Sequence, residues 1–409
     1  MSCPADLPLV PAPAAAMTGA LTLLFALSIG IIVVSLYAAQ PLVGLIGPSL
    51  GLGASAGGLV TTVTLLGYAV GLVLLVPLCD LVENRRLILA TLAANVAALA
   101  FAAMAPGALL FLVAAFAVGV TSCAIQMLVP VAAYLAPERQ RGRVVGNVMS
   151  GLMLGILLSR PFASLTAQGL GWRAVYGLLA LFVGLLGLLL AWLLPGRRPA
   201  IGDGYGPLIR SMGRLLLTEP VLRRRAGYQV LLMAAFNLFW TAIALELGRP
   251  PFEFGAYGIA LFALAGAGGA VIAPIAGRAG DRGWSRPATR LAHGTVLAAL
   301  ALAGCAGSGA CPAGLGLPLL VLAAVSLDMG AIGDLTLGRR KINLLNPAAR
   351  GRINGLFTGL SFCGAAAGAG LAGPAWNAGG WPAVTGLGMV FAAIAWGLAL
   401  VEPGDALGS

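Results

Sequence analysis

Apolar segments of about 20 residues recur along the whole chain and constrain its fold more than any other feature. Twelve segments of this kind span residues 20–46, 58–79, 87–105, 108–133, 144–167, 174–194, 226–247, 256–276, 288–306, 315–337, 353–375 and 381–401. Only 9% of the 409 residues are charged and 60% are hydrophobic, too few polar groups to cover a soluble surface. The sequence therefore predicts an all-α membrane protein with twelve transmembrane helices.

The basic residues are distributed unequally between the two sets of loops. Of the 24 Lys and Arg residues, Arg173 and Arg249 fall in one set, Arg160 falls within a helix, and the other 21 fall in the alternate set. Short loops rich in Lys and Arg stay in the cytoplasm. The net charge of +11 is therefore explained by membrane topology rather than by nucleic-acid binding, and both termini are predicted to be cytoplasmic.

The chain repeats itself at an offset of 209 residues. RGRVVG at 141–146 matches RGRING at 350–355, and GWRAVYG at 171–177 matches GWPAVTG at 380–386. Six helices return the chain to its starting side, so the halves are predicted to be parallel six-helix repeats about an axis along the membrane normal.

These features predict five regions. A disordered cytoplasmic tail (1–19) precedes an N-terminal six-helix bundle (20–195), and a cytoplasmic linker (196–225) leads to a C-terminal six-helix bundle (226–402) and a short tail (403–409). LIRSMGRLLL in the linker predicts a short interfacial amphipathic helix. Cys305 and Cys311 flank a predicted external loop, and whether they form a disulfide stays open.

Several motifs resemble those of major facilitator superfamily transporters. VPLCDLVENRR at 76–86 resembles the family's loop motif of Gly, Asp and basic residues, and GRAGDRG at 277–283 is a closer second copy. More narrowly, YAAQPLVGLI at 37–46 and SGLMLGILLSRPF at 150–162 resemble bacterial drug and sugar efflux proton antiporters. AVGVTSCAIQMLVP in helix four lacks the arginine that many antiporters carry there, which excludes proton coupling through that arginine.

The resemblance implies two sets of functional residues. In the family, Asp and Arg of the loop motif act as a latch, and the predicted cytoplasmic gate comprises Asp80, Arg85, Arg86, Asp281, Arg282, Asp334, Arg141 and Arg350. The family's cavity is lined by helices one, four, seven and ten. The predicted proton and substrate cavity, to which helix five adds Arg160, comprises Asp328, Arg160, Gln126, Tyr37, Gln40, Asn237 and Trp240.

Asp328 is the acid predicted to have a function in the cavity. It lies about 13 residues, or roughly 20 Å, into helix ten, and an isolated carboxylate at that depth costs about 2.5–3.5 kcal/mol to insert. A carboxylate takes up a proton when it is desolvated and releases it when exposed to water. Asp334 is expected about three residues from the cytoplasmic end, on another face of the helix. The single histidine, His293, is open to a structural or a proton-carrying role.

The predicted function is secondary active transport, namely proton-coupled efflux of a small molecule by alternating access. The alternative is a proton-coupled importer or a facilitative uniporter of a small polar solute. An enzyme is not predicted, because no nucleotide-binding motif, metal cluster or nucleophile–base set occurs in the sequence. No cofactor or nucleic acid is expected. The expected partners are the substrate, protons and the lipid bilayer of the bacterial inner membrane, with a monomer as the functional unit.

Overall fold

The computed structural model describes residues 18–52, 58–196, 204–307, 314–346 and 349–402. Every regular element in these ranges is helical, as the sequence predicts for an all-α protein. Cys311, the C-terminal tail and all but the last two residues of the N-terminal tail lie outside the described ranges.

The N-terminal half is a succession of apolar helices joined by short turns. Its helices are α1 (Gly19–Tyr37), α2 (Val43–Ser49), α3 (Leu59–Leu74), α4 (Asn84–Met104), α5 (Ala108–Ser122), α6 (Ala124–Leu135), α7 (Arg141–Leu170) and α8 (Trp172–Leu193). Short 3-10 turns at Gln40–Leu42 and Val76–Asp80 follow α1 and α3.

The C-terminal half follows a linker helix. The remaining helices are α9 (Tyr205–Thr218), α10 (Pro220–Leu247), α11 (Ala256–Ala265), α12 (Ile272–Asp281), α13 (Ser285–Gly307), α14 (Gly316–Asn343) and α15 (Arg350–Leu400). A 3-10 segment, Gly266–Val271, joins α11 to α12.

Ten helical segments among the described residues are long and apolar enough to cross a membrane. One of them is α15, whose 51 residues would extend about 76 Å if straight, more than twice the hydrocarbon thickness of about 30 Å. Gly379 and Gly380 have non-helical dihedral angles and interrupt it. A further apolar stretch is divided into α11, the 3-10 segment and α12. The count of twelve transmembrane helices stays a prediction.

The turn within α15 occurs where the sequence repeat pairs it with another turn. Gly380 has φ of 62°, and its repeat counterpart Gly171, between α7 and α8, has φ of 84°. Residues with a Cβ rarely adopt this left-handed region, which explains glycine at both positions. The matched GW motifs therefore mark equivalent helix–helix turns in the two halves.

Each half has its own hydrophobic core. One core runs from Leu21 to Leu194 and takes in Ala365, Ala366 and Ala369 of α15. The second consists of C-terminal residues between 232 and 395. A third, smaller cluster is formed between α9, α10, α14 and α15, and it includes Met212, Ile353 and Phe357. The segments 80–86, 138–143, 205–225, 278–290 and 339–352 carry most of the basic residues, and the end of the molecule at which they lie is termed the basic end.

Large apolar side chains also cover the outside of the molecule. Leu188, Trp192, Leu291 and Val401 are each between 65% and 85% exposed. An apolar exterior of this extent is unfavourable in water and favourable against lipid acyl chains.

Two glycines, one in each half, allow helices to pack backbone to backbone. A Cβ added to Gly155 of α7 would lie 2.3 Å from the Gly30 carbonyl oxygen of α1. A Cβ on Gly364 of α15 would lie 2.1 Å from the Val230 carbonyl oxygen of α10. Small residues at such crossings let membrane helices approach closely. Because Gly155 and Gly364 are paired by the 209-residue offset, the same contact is built in both halves.

We expect Gly155→Ala and Gly364→Ala to lower the thermal stability of the purified protein. The obstructing atoms are backbone, so the helices must separate, at a cost of about 1–3 kcal/mol per site. Gly146→Ala in α7 and Gly351→Ala in α15 are matched controls, since an added Cβ there meets nothing within 4 Å. The melting temperature in detergent should fall for the first pair alone; equal melting temperatures in all four variants would contradict the backbone contact.

Candidate functional site

A layer of buried polar side chains joins the two halves of the chain. Arg160 of α7 donates from Nε and Nη2 to Oε1 of Gln40, at 3.3 and 3.2 Å. Gln40 in turn donates from Nε2 to Oδ1 of Asn237 on α10, at 3.1 Å. All three residues are at most 6% exposed. The layer therefore binds the N-terminal half to the C-terminal half inside the molecule.

Trp240, one turn along α10 from Asn237, connects this layer to the buried acid. The Arg160 guanidinium carbon lies 4.1 Å from the centroid of the Trp240 ring, a cation–π contact. The indole Nε1 donates to Oδ1 of Asp328 at 2.9 Å. The Trp240 side chain therefore contacts both the guanidinium of Arg160 and the carboxylate of Asp328.

The glycine-rich 3-10 segment between α11 and α12 makes room for Asp328. A Cβ on Gly266 would lie 2.7 Å from Oδ2 of Asp328, and a Cβ on Gly269 would lie 2.3 Å from its Cβ. Larger residues at these positions would displace the acid. In the sequence this segment reads GAGGA at 266–270, and composition alone does not distinguish it from an ordinary glycine-rich membrane helix.

Asp328, Arg160 and Tyr37 line a cavity of about 270 Å³ between the halves. The other lining side chains are apolar and include Met153, Met233 and Phe236. Met153 and Met233 precede Arg160 and Asn237 on helices that start at the basic end. The cavity therefore lies on the basic-end side of the polar layer, which closes it from the other end.

A larger groove lies elsewhere, but no polar or ionisable side chain lines it. It measures about 680 Å³, runs between α4 and α8, and is lined by Leu, Ala, Val and Gly residues alone. Such a groove can hold an acyl chain but cannot bind a proton or orient a polar substrate. The smaller cavity is the candidate site, because it contains a carboxylate and a guanidinium and is formed by both halves.

Residues 22–333 match the family model of the Major Facilitator Superfamily. The chain belongs to this superfamily. It is 35% identical over 379 residues to the uncharacterized transporter YgaY of Escherichia coli O157:H7, covering 92% of this chain and 94% of YgaY. It is 31% identical over 394 residues to the Streptomyces coelicolor protein named "Probable transporter SCO4007", covering 93% and 87% of the two chains.

Solved structures of superfamily members share the fold. A bacterial homologue of the human lysosomal transporter Spinster has a TM-score of 0.71 at 15% identity, covering 93% of this chain and 96% of that one. The nucleoside transporter NupG, in a mutant form, has a TM-score of 0.70 at 13% identity, covering 93% and 98%. The chain is therefore a multi-pass membrane transporter of the all-helical major facilitator fold and not an enzyme.

The structure brings together six of the seven residues predicted for the cavity. Gln126 lies apart from them, near the Tyr68 side chain. It lines a separate cavity of about 190 Å³ at the basic end, together with Asp80, Met212 and Arg352. The reason is that α6 begins only after a break at Cys123, so Gln126 lies in the first turn of a new helix.

The arginines and acids predicted for the transporter's gate mostly make contacts within one half. Asp281 accepts from Arg340 Nε at 2.9 Å, and both belong to the C-terminal half. The remaining contacts are Arg85 to the Ala191 carbonyl, Arg86 to Glu83, Arg141 to the Ala133 carbonyl, Arg350 to the Asn343 carbonyl and Arg282 against the Trp284 ring. Their role in a gate stays a prediction.

The linker helix α9 makes the polar contacts that cross between the halves at the basic end. Tyr205 donates its hydroxyl to the Leu74 carbonyl of α3, at 2.9 Å. Arg352 of α15 donates to the Ser211 hydroxyl at 2.7 Å, and Met212 is only 2% exposed. The amphipathic helix expected from the sequence is present, but its buried face packs against protein.

Asp334 lies deeper than the sequence predicts. The expected helix end lies about three residues beyond it, whereas α14 continues for nine residues to Asn343. Asp334 is 1% exposed and its Oδ1 lies 3.0 Å from Nε2 of His293. The apolar segment ends near residue 337, but the helix continues through Arg339, Arg340 and Lys341, because basic side chains are good helix formers.

Proposed function

We propose that this transporter exports a small molecule from the cytoplasm in exchange for protons, by alternating access in the bacterial inner membrane. Asp328 is the proton carrier in this proposal. The observation that carries it is the Asp328 carboxylate, which lines the cavity between the halves while bound to Trp240. Ionisable residues buried in membrane segments usually belong to a transport pathway.

The charges in the cavity explain how a proton and a substrate could exchange. With Asp328 ionised, its charge balances that of Arg160, and the cavity accepts a neutral or cationic molecule. A proton on Asp328 leaves the Arg160 charge uncompensated, which disfavours a cation in the same space. Binding of a proton and binding of a cationic substrate then oppose each other, as antiport requires. The mainly apolar lining supports a substrate with a substantial apolar surface.

The orientation follows from the basic residues. Nearly all of the Lys and Arg residues lie at the basic end, which we assign to the cytoplasm. The polar layer of Gln40, Arg160, Asn237 and Trp240 then faces the exterior and forms the external gate. Both halves of the site come from one chain, which supports a functional monomer.

Proton-coupled import and facilitative uniport remain alternatives with the same cavity. Transport by inverted membrane vesicles, with and without a pH gradient, distinguishes the three functions for a panel of small molecules. We expect an exported compound to concentrate inside inverted vesicles only while their interior is acidic. Concentration inside right-side-out vesicles driven by an inward proton gradient would indicate import. If the compound only equilibrates across the membrane, with or without the pH gradient, the result would indicate uniport.

A further inference from the structure

A second group of ionisable side chains is buried in the C-terminal half, away from the substrate cavity. His293 on α13 and Asp334 on α14 are 0% and 1% exposed, and Nε2 of the imidazole lies 3.0 Å from Oδ1 of the carboxylate. Asp334 faces α13 and α10, whereas Asp328, six residues earlier, faces Trp240 and the 3-10 segment. The two acids therefore occupy different faces of one helix.

Arg225 on α10 lies between two carboxylates. Its Nη1 donates to the Thr289 hydroxyl at 2.8 Å and lies 4.0 Å from Oδ1 of Asp334. Its Nη2 lies 3.7 Å from Oε1 of Glu402, beyond the end of α15. The guanidinium is 1% exposed and makes a short ion pair with neither acid. A small displacement would bring it into contact with one acid and away from the other.

Several polar atoms of this group lack a hydrogen bond within the described residues. They are Nδ1 of His293, Oδ2 of Asp334, and Nε and Nη2 of Arg225. More than 90% of buried polar groups in proteins are paired, so four unpaired atoms in one group require an explanation. Both Nδ1 of a neutral imidazole and Oδ2 of a carboxylate can accept a proton.

The surroundings include ionisable groups from α10, α13 and α14 and from the residues after α15. These are Arg224, Arg225 and Tyr228 on α10, Arg286 and Arg290 on α13, Lys341 on α14, and Glu402 after α15. Glu402 contacts Arg224, Arg225 and Lys341, and the Arg224 side chain is 31% exposed. The group is therefore connected to the basic end. The Tyr228 ring packs against the imidazole in an edge-to-face arrangement, with the ring centroids 5.2 Å apart and the planes at 82°.

We propose that His293 and Asp334 form a second proton-binding site. This site exchanges protons with water at the basic end and controls the position of Arg225. The proton comes from water, is accepted by Nδ1 of His293 or Oδ2 of Asp334, and adds one positive charge without breaking a covalent bond. Arg225 is then repelled from the pair and moves toward Glu402. Loss of the proton returns it toward Asp334. The proton thus changes how α10, which carries Trp240 and Asn237, is held against α13 and α14.

Because His293 is the only histidine, its ring nitrogens can be observed by nuclear magnetic resonance without overlap. The full-length protein is labelled with ¹⁵N-histidine, purified with a histidine-free tag and placed in lipid nanodiscs. We expect the ring-nitrogen signals to change from those of a neutral imidazole to those of a doubly protonated one as the pH is lowered. Asp334→Asn should change the pH midpoint of this transition, because the adjacent carboxylate is lost. The control Glu138→Gln, at an exposed turn of the other half, should leave the midpoint unchanged.

An imidazole that keeps one neutral form from pH 5 to pH 8 would overturn the proposal, as would an unchanged midpoint in Asp334→Asn. If Asp334→Asn does not fold, the behaviour of the His293 signals in the unmodified protein tests the proposal by itself. The measurement needs no substrate, so it stands apart from the proposed efflux. In Asp328→Asn, an unchanged His293 titration supports two separate sites, and a midpoint shifted as far as in Asp334→Asn contradicts them.

Discussion

Replacing Asp328 with Asn is expected to abolish the concentration of substrate against its gradient. The substitution preserves size and the hydrogen bond from Trp240 Nε1, since Asn Oδ1 can accept it, but it removes the group that binds and releases the proton. Flux of substrate down its gradient should be weaker, because the Arg160 charge is uncompensated as it is beside a protonated Asp328, and this flux should no longer depend on the pH gradient. The measurement is the ratio of substrate inside to outside in inverted vesicles with an acidic interior, which should fall to about one.

Two further variants separate coupling from folding. Asp328→Glu keeps a titratable carboxyl group and should retain some uphill transport, although Gly266 and Gly269 leave little space for a longer side chain. Glu138→Gln, an exposed acid at the basic end, should transport normally. If Asp328→Asn is expressed and folded like the unmodified protein and still concentrates substrate, the coupling proton is carried elsewhere. Asp334→Asn is unsuitable as a neutral control, because Asp334 is buried against His293.

The sequence is sufficient to identify the transporter superfamily and to predict Asp328 as the acid of the cavity. A carboxylate near the middle of an apolar segment is rare and costly, so Asp328 is identified by depth alone. Tyr37, Gln40, Asn237 and Trp240 follow from the resemblance, which assigns helices one and seven to the cavity. Their actual partners are a matter of helix rotation and packing, which hydropathy does not specify. Gln126 shows the limit, because a helix break just before it directs its side chain to another cavity.

The buried group around Arg225 is what sequence reasoning fails to detect. Arg225 follows Arg223 and Arg224 in a basic run, so its composition predicts an exposed cytoplasmic loop. Helix α10, however, begins at Pro220, five residues before Arg225, and this turns Arg225 inward toward α13 and α14. Asp334 and His293 are 41 residues apart in sequence and are brought together only by the antiparallel packing of α13 and α14.

Arg160→Met is expected to open the external gate. Arg160 contacts the C-terminal half directly through its stacking on Trp240, and its hydrogen bonds hold Gln40, which donates to Asn237 of that half. A desolvated cation–π contact contributes about 2 kcal/mol, and a hydrogen bond to a charged group contributes about 1.5–3 kcal/mol. Methionine keeps much of the length but loses both contacts. A loss of about 3 kcal/mol would change the equilibrium between closed and open gate by about a hundredfold.

The opening can be measured as a distance between spin labels on the two halves at the end away from the basic residues. Met104→Cys and Tyr257→Cys are suitable sites, because both residues are more than 65% exposed and lie at helix ends there. Labelling requires prior replacement of the native cysteines. We expect the distance between the two spin labels to be longer in Arg160→Met than in the labelled protein that retains Arg160.

Arg173→Met provides a closely matched control for this experiment. Arg173 also lies over an indole, 4.2 Å from the centroid of the Trp172 ring, and donates to the Ala105 carbonyl, but all of these residues belong to the N-terminal half. Its loss removes the same types of contact without separating the halves, so the distance should not change. If Arg160→Met leaves the distance distribution as it is in Arg173→Met, the polar layer does not hold the external gate closed. Closure would then depend on other contacts between the halves, such as the packing of α7 on α11 and of α3 on α15.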